Sequence, residues 1–356
     1  MTTFVIDSVG RLTPAWLDAV LRRARVLGSG GVESFEVARR DEAWSTTARL
    51  RVRYTAGSTG ERPEALFLKI CTSNELGPSE VHYYRRDYLD AVDVPLLRCF
   101  DASHDRAARA YHLLLEDVSS THVDAKELPV TEALVEALAE GTAALHAHRW
   151  TDRQLDAIDA SRVGELELDR YFAHVGRGLE PLLEIGAEVL DARGRALLHD
   201  VFARQPAAML ERARRPGTCL VHGDINPGNI LAPRSGAGRL YLIDRQPFDW
   251  SLQVWLGVSD LAYLTCCFWP VEARRSFESL LVRCYVDALA RRGVEDYGVE
   301  RAWSDYRLCA VQALCVAVQW CIEEADRQRM RWLWMVQLDR AFSAFRDLRC
   351  DELWRR

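Results

Sequence analysis

The sequence predicts an α+β fold with a small, antiparallel β-rich N-terminal lobe and a larger, mainly helical C-terminal lobe. Between residues 32 and 115, short segments alternate polar and apolar residues and are separated by turns such as GSTG at 57–60, a pattern typical of antiparallel strands. After residue 117 the apolar spacing becomes helical and is interrupted mainly at 219–243. These patterns place a domain boundary after Glu116 and predict lobes 1–116 and 117–356.

The length and the net charge of the chain limit the classes of protein to which it can belong. The 356 residues, 49% of them hydrophobic, are enough for two cores with a cleft between them, which is a common place for a ligand. The net charge of -6, from 46 basic and 52 acidic residues, does not resemble the basic footprint of a nucleic-acid binder. We therefore expect no nucleic-acid partner.

Neither a membrane span nor a disulfide framework is indicated. The N-terminus lacks a charged segment followed by an apolar one, so no signal peptide is expected. The best apolar run, 308–321, is interrupted by Gln312 and Gln319 and predicts a buried helix. The ten cysteines are scattered without a CxxC pair, as reduced thiols usually are. A soluble, cytoplasmic protein is expected, and the oligomeric state is not indicated.

The secondary structure follows from local patterns. The first helix is expected at about 14–27, with Thr13 as N-cap, Pro14 at the first position and the GSGG at 28–31 ending it. Strands are expected near 32–39, 48–54, 65–70, 97–101 and 110–115, with a helix at about 79–89 between the third and fourth. Helices of the C-terminal lobe are expected near 131–147, 168–178, 192–214, 271–292 and 301–346.

The sharpest motif is VHGDINPGNIL at 221–231, followed by LYLID at 240–244. Asp224 and Asn229 lie five residues apart on a loop that contains Gly and Pro, and Asp244 ends an apolar strand. Carboxylate and amide oxygens are the ligands that magnesium prefers. Phosphoryl transfer needs a carboxylate to accept a hydroxyl proton and metal ions to neutralise phosphate charge. The alternative is a tight turn in which Asp and Asn only cap the backbone.

This pattern resembles the catalytic and metal-binding segments of the aminoglycoside phosphotransferase and choline kinase family, including its uncharacterised bacterial and ecdysteroid-kinase-like members. The resemblance covers roughly 32–345 and implies a two-lobed, protein-kinase-like fold that binds ATP and Mg2+. It implies that Asp224 is the catalytic base, that Asn229 and Asp244 hold magnesium, and that His222 supports the loop. The segment Ser-Asp-Leu-Ala at 259–262 also resembles the family, and there the resemblance implies that Asp260 supports the catalytic loop and takes no part in catalysis.

A lysine of the N-terminal lobe supports this interpretation. Lys69 ends the apolar third strand, where a buried cation is costly without a partner. Glu80, on the following helix, is the preferred partner, and Glu75, in the loop before that helix, is a rival. In kinases such a pair positions the α- and β-phosphates of ATP.

The remaining nucleotide contacts are implied by the resemblance. The connector after the strand at 110–115 would bind adenine through the main-chain carbonyl of Glu116 and the amide of Val118. The phosphate-covering loop, 41–47, has no glycine but offers Ser45 and Thr46. Arg245 follows the metal-binding aspartate where protein kinases have Phe, and it is expected either to contact a phosphate or an acidic substrate, or to form a surface salt bridge.

The function expected is ATP- and Mg2+-dependent transfer of the γ-phosphoryl group to a hydroxyl of a small molecule. A protein kinase is less favoured, because the loop begins His-Gly-Asp and no Ala-Pro-Glu segment follows Asp244. A catalytically silent nucleotide-binding scaffold is a second alternative. The residues that argue against it are all intact: Lys69, Asp224, Asn229 and Asp244. The sequence does not name the acceptor.

Overall fold

The computed structural model describes residues 4–41, 45–72, 78–158, 160–185, 190–236, 238–245, 248 and 250–354. The chain divides into two compact units. The N-terminal unit comprises Met1–Val92, Leu96–Val123 and Ile243–Asp249, and the C-terminal unit comprises Asp93–Pro95, Asp124–Leu242 and Trp250–Arg356. Asp244 therefore belongs to the N-terminal unit, whereas Asp224 and Asn229 belong to the C-terminal unit.

The N-terminal unit is built on a five-stranded antiparallel sheet in the order β1-β2-β3-β5-β4. Its strands are β1 Val32–Asp41, β2 Thr46–Tyr54, β3 Ala65–Thr72, β4 Cys99–Asp105 and β5 Ala110–Glu116. On one face Leu66, Leu68 and Ile70 of β3 are buried in a core shared with an N-terminal helix. Neighbouring strand residues point to opposite faces, so Lys69 lies on the other face.

The N-terminal helix, α1, spans Pro14–Arg23 and ends earlier than the sequence predicts. Thr13 caps its start as expected. Its end is set by Arg25, which has a φ of 61°, and by the amide of Val26, which donates to the carbonyl of Leu21. A left-handed residue just past a helix lets the following amides satisfy its last carbonyls. The glycines at 28–31 are therefore not needed to stop the helix.

A short helix connects β3 to β4. It begins as α2, Ser79–His82, and continues as a π-helical turn, Tyr83–Asp87. π-Helical turns are rare in proteins, and those that do occur are often found at functional sites. The rings of Tyr83, Tyr84 and Tyr88 pack edge to face here.

The C-terminal unit is mainly helical, and its long helices pack in pairs: α3 against α9, and α10 against α8 and α12. Its helices are α3 Glu132–His148, α4 Asp152–Asp156, α5 Glu165–Gly176, α6 Leu179–Ile185, α7 Ala192–Ala213, α8 Val258–Tyr263, α9 Val271–Arg291, α10 Val299–Gln319, α11 Glu324–Arg329 and α12 Arg331–Asp347. The short strands are β6 His122–Asp124, β7 Thr218–Leu220, β8 Ile230–Pro233, β9 Tyr241–Leu242 and β10 Val254–Leu256. The β-rich and helical regions predicted from the sequence are confirmed.

The helical segment expected at 301–346 is wrong as one helix, because the chain forms α10, α11 and α12 there. A continuous helix of that length would extend for about 70 Å and would leave both apolar faces uncovered. Instead the chain turns after Gln319, where the amides of Cys321 and Ile322 donate to carbonyls three residues back. The turn lets α12 fold back and pack on α10.

No helix in the part of the chain that the structure describes is both long and apolar enough to cross a bilayer. The segment 308–321 falls largely within α10, whose residues are mostly buried. All ten cysteines are free thiols.

Candidate functional site

The loop that carries Asp224 is anchored at both ends by short strands. It runs from β7, which pairs with β10, to β8, which pairs with β9. Gly223 adopts a φ of 80° immediately before Asp224, a conformation that glycine adopts at little cost. The amide of Asn229 donates to the carbonyl of Asn226 and closes the turn. The Gly- and Asn-containing sequence therefore sets a sharp, fixed loop.

Three side chains hold the Asp224 carboxylate. Its Oδ1 accepts hydrogen bonds from Asn226 Nδ2 at 3.0 Å and from the Tyr263 hydroxyl at 2.9 Å. Its Oδ2 accepts from Asn229 Nδ2 at 2.9 Å. The Asn229 amide nitrogen is thus directed at Asp224, which leaves the amide oxygen as the atom suited to a cation.

Asp260 supports the same loop from below. Its side chain is buried, with 1% exposed, and it accepts the backbone amides of His222 and Gly223 at 2.8 Å each. His146 Nε2 lies 3.0 Å from Asp260 Oδ2, and the other ring nitrogen of His146 contacts the Tyr285 hydroxyl. Burial acts to raise the pKa of Asp260, but these hydrogen bonds and the imidazoles lower it overall. Asp260 thus binds the backbone of the loop, which is the structural role that the sequence-based interpretation expected.

Asp260→Asn should lower the free energy of unfolding by about 2 kcal/mol, because an amide cannot accept all three hydrogen bonds and one buried donor is left unpaired. The measurement is urea denaturation followed by circular dichroism. Asp296→Asn, at an exposed aspartate between α9 and α10, is the matched control. Equal unfolding free energies for the two variants would contradict this role.

Tyr263 was not identified from the sequence. It lies 39 residues after Asp224 in the chain and ends α8, the helix that also carries Asp260. Residues three apart on a helix share a face, so α8 supports both the loop backbone and its carboxylate. Burial, together with the Asp224 charge, raises the pKa of Tyr263 well above 10, which keeps the hydroxyl protonated as a donor. Its spacing from Asp260 is the one sequence signal that could have identified it.

In the N-terminal unit, Lys69 contacts two carboxylates. Its Nζ lies 2.8 Å from Glu80 Oε2 and 2.7 Å from Asp244 Oδ1. Glu80 is buried on α2, and its Oε2 also accepts a 2.6 Å hydrogen bond from Tyr111. The pair expected between Lys69 and Glu80 therefore forms, while the rival Glu75 lies outside the described residues.

In this cluster two carboxylates share Lys69. Burial acts to lower the pKa of Lys69, but Asp244 and Glu80 raise it overall. Burial raises the pKa of Glu80 to about 7, opposed by Lys69 and reinforced by Asp244. Asp244 is the more accessible carboxylate, with 43% of its side chain exposed. An accessible carboxylate of this kind is an oxygen donor that a divalent cation can bind.

Arg245 forms a salt bridge, as one of the sequence-based interpretations expected, but the pair is buried and not at the surface. The side chain is 2% exposed, and its Nη1 lies 2.8 Å from Oδ2 of Asp87, which is fully buried. Its guanidinium also lies over the ring of Tyr83, 5.8 Å from the centroid. Arg245 is therefore neither a surface residue nor placed to reach a phosphate. Sequence reasoning missed this contact because the partner lies 158 residues away.

Several hydrogen-bonding groups at the end of β5 and in the connector that follows it already have partners within the protein. The Glu116 amide donates to the Arg98 carbonyl, and its carboxylate accepts the Arg98 amide. The Val118 carbonyl accepts the amides of Thr121 and His122 at 2.9 and 2.8 Å. No residue within the described ranges accepts a hydrogen bond from the Val118 amide, which is the group expected to bind adenine.

The hairpin between β1 and β2 contains the predicted phosphate-covering loop, although residues 42–44 lie outside the described residues. Asp41 pairs with Thr46 across the strands, and the Thr46 hydroxyl donates to Asp41 Oδ1 at 2.9 Å. Hydrogen bonds from Arg39 and then Thr46 lower the pKa of Asp41. Ser45 is half-buried beside this pair. The Thr46 hydroxyl can therefore donate to a phosphate only after it breaks its hydrogen bond to the Asp41 carboxylate.

Comparisons with known proteins agree on one family and fold. The model of a family described as "Phosphotransferase enzyme family" matches residues 43–252. Similar solved structures include the choline kinase from Cryptosporidium parvum Iowa II, with 10% identity, coverage of 90% of this chain and 91% of that one, and a TM-score of 0.59. The ethanolamine kinase from Plasmodium vivax has 10% identity, coverage of 89% and 82%, and a TM-score of 0.56.

A third similar structure is a point mutant of aminoglycoside 2'-phosphotransferase-IIIa in complex with GDP, with 14% identity, coverage of 91% and 94%, and a TM-score of 0.52. No curated protein sequence matches the chain significantly. At these identities the solved structures show the fold, which is the kinase-like fold expected from the sequence motifs.

Proposed function

The chain belongs to the phosphotransferase enzyme family, and we propose that it transfers the γ-phosphoryl group of ATP, with Mg2+, to a hydroxyl of a small molecule. The observation that carries this proposal is the Asp224 carboxylate, held by Asn226, Asn229 and Tyr263 on a loop fixed by Asp260. A general base must be held within hydrogen-bond reach of the proton that it accepts. A capping aspartate in an ordinary turn has no need of three side-chain donors.

Each proposed role uses a specific atom. Asp224 accepts the proton of the acceptor hydroxyl. Lys69 Nζ, oriented by Glu80, donates to the α- and β-phosphates, as such lysines do in kinases. The Glu116 carbonyl and the Val118 amide would bind the base, and Ser45 and Thr46 would contact the phosphates. The proposed lobes are 1–116 for nucleotide binding and 117–356 for catalysis and the acceptor.

The proposed magnesium ligands are Asn229 and Asp244. An amide oxygen and an accessible carboxylate are hard oxygen donors, which fit Mg2+, and 43% of the Asp244 side chain is exposed. Among the described residues, no three His, Cys, Asp or Glu side chains cluster as a metal site, so the remaining ligands would be phosphate oxygens and water. When bound, the ion neutralises charge on the transferred phosphoryl group.

Tyr263→Phe should lower kcat about tenfold, because removing one hydrogen bond to a charged group frees the orientation of the base. The KM for ATP and the melting temperature should change little, since the ring and its edge-to-face contact with Phe268 remain. Initial rates of ADP release test this prediction. Tyr263→Leu, which also removes the ring, should in addition lower stability. A Phe variant with wild-type kcat would exclude Tyr263 from positioning the base.

The proposal is tested by a phosphoryl-transfer screen. Similar folds are named as choline, ethanolamine and aminoglycoside kinases, so amino alcohols and aminoglycosides come first, followed by nucleoside antibiotics, macrolides and sterols. We expect ADP release that depends on Mg2+ and matches a new phosphate monoester in the 31P NMR spectrum. Nucleotide binding without transfer to any acceptor would favour a silent scaffold, and transfer only to protein would favour a protein kinase.

A further inference from the structure

The segment from Ser79 to Asp87 is linked to two consecutive residues, to Asp244 through Lys69 and to Arg245 directly. At its start, Glu80 binds Lys69, which in turn binds Asp244. At its end, Asp87 binds Arg245 directly at 2.8 Å. All of these residues belong to the N-terminal unit. The segment therefore fixes both the side chain of the proposed metal ligand and the residue that follows it.

Asp244 needs such support because its backbone is in an uncommon conformation. Its φ of 59° lies in the left-handed region, which non-glycine residues adopt only when the surrounding structure imposes it. Arg245, joined to Asp244 by one peptide bond, is anchored by a buried ion pair and by the ring of Tyr83. The anchored arginine thus supplies the constraint on the C-terminal side of Asp244.

A buried ion pair is not an efficient source of stability. The cost of removing both charges from water can exceed their attraction, and apolar replacements of similar volume are often neutral or stabilising. What the pair provides is direction, since a guanidinium binds a carboxylate in a defined geometry. Arg86 also contacts Asp87 at 2.7 Å, which fixes the acceptor carboxylate further.

We propose that the Asp87–Arg245 pair is a positioning device that holds the Asp244 carboxylate in place for Mg2+-nucleotide binding. Asp87 and Arg245 act through Asp244 and touch neither nucleotide nor acceptor. The π-helical turn Tyr83–Asp87 presents Asp87 to Arg245, so the helix that carries Glu80 and the carboxylate that binds the metal keep one relative position. This inference rests on the proposed function of Asp244 as a magnesium ligand.

The test compares stability with Mg2+-dependent ADP binding in one double variant, Asp87→Leu/Arg245→Met. Apolar replacement of both partners should leave the melting temperature near that of the wild type. ADP binding by calorimetry in MgCl2 should nevertheless weaken about tenfold, in line with the loss that supporting residues of metal ligands cause. ADP binding in EDTA should stay close to wild type, because Lys69 and the base-binding connector are unchanged.

A matched control comes from the C-terminal unit, where Arg212 and Asp305 form another buried ion pair, with N···O 2.6 Å. The double variant Arg212→Met/Asp305→Leu should leave the Mg2+ dependence of ADP binding unchanged. If Asp87→Leu/Arg245→Met kept both wild-type melting and wild-type Mg2+ dependence, the pair would not position Asp244 and the inference would be overturned.

A second variant, Arg245→Lys, tests the inference even if the double variant fails to fold. It keeps the charge but loses the planar guanidinium geometry, so the Mg2+ enhancement of ADP binding should fall at a nearly unchanged melting temperature. Unchanged Mg2+ enhancement in this variant would also overturn the inference. A wild-type chain that bound ADP without any Mg2+ effect would instead contradict the proposed role of Asp244, and the two failures are therefore distinguishable.

Discussion

Asp224→Ala is expected to lower phosphoryl transfer by at least about 100-fold while leaving nucleotide binding close to wild type, because general base catalysis contributes 10²–10⁴-fold. The carboxylate is held by donors from Asn226, Asn229 and Tyr263, so its removal deletes an oriented proton acceptor. The backbone of the loop should persist, since Asp260 binds it through the amides of His222 and Gly223.

Turnover by ADP release and nucleotide affinity by calorimetry measure the two effects separately. Asp224→Asn tests the charge alone, because it keeps the shape of the side chain but not the basic carboxylate. Asp296→Ala, at an exposed loop aspartate of the same unit, is the control and should be fully active. Near-normal turnover of Asp224→Ala would show that the base has been assigned wrongly.

Lys69→Met should lower kcat/KM for ATP about 100-fold, in the range found when a preorganised charge-stabilising donor is removed. Lys69 is held between Glu80 and Asp244, so its position is fixed before nucleotide binds. Lys126 is the only other lysine in the sequence, and its exposed side chain pairs with Asp124. Lys126→Met is therefore the matched control, and an unchanged ATP dependence in Lys69→Met would remove Lys69 from the site.

The same substitution should make stability more sensitive to pH. Burial already raises the pKa of Glu80 to about 7, and Lys69 opposes that rise, so loss of Lys69 raises it further. A carboxyl whose folded pKa exceeds its unfolded pKa contributes stability at low pH that is lost as the pH rises through the folded value. The stability deficit of Lys69→Met should therefore grow between about pH 6 and about pH 8. A constant deficit would contradict a buried Lys69–Glu80 pair.

Much of the fold could be predicted because it depends on local patterns. The alternation in β1 and β2 and the apolar run of β3 correspond to strands within one or two residues at most ends. Lys69 and Glu80 are only eleven residues apart, on adjacent elements, so their pairing followed from the cost of burying a lone cation. The motif loop was recognisable because its Gly, Asn and Pro residues occur at fixed spacing.

Contacts between distant segments could not be predicted in the same way. Arg245 is polar and follows a turn, features typical of the surface, yet Asp87 makes its burial possible. Tyr263 had no local signal that linked it to Asp224, because only the packing of α8 beneath the loop brings them together. The break in the segment 301–346 likewise depends on the packing of α12 against α10.

We propose that Asn229, Asp244 and Lys69 bind one Mg2+-nucleotide while Asp224 remains available to the acceptor. A crystal structure of the chain with Mg2+ and a non-hydrolysable ATP analogue tests it most directly. We expect magnesium bound by the Asn229 amide oxygen and the Asp244 carboxylate, with Lys69 Nζ on the α- or β-phosphate. Phosphates bound elsewhere, or a metal held by other side chains, would contradict it.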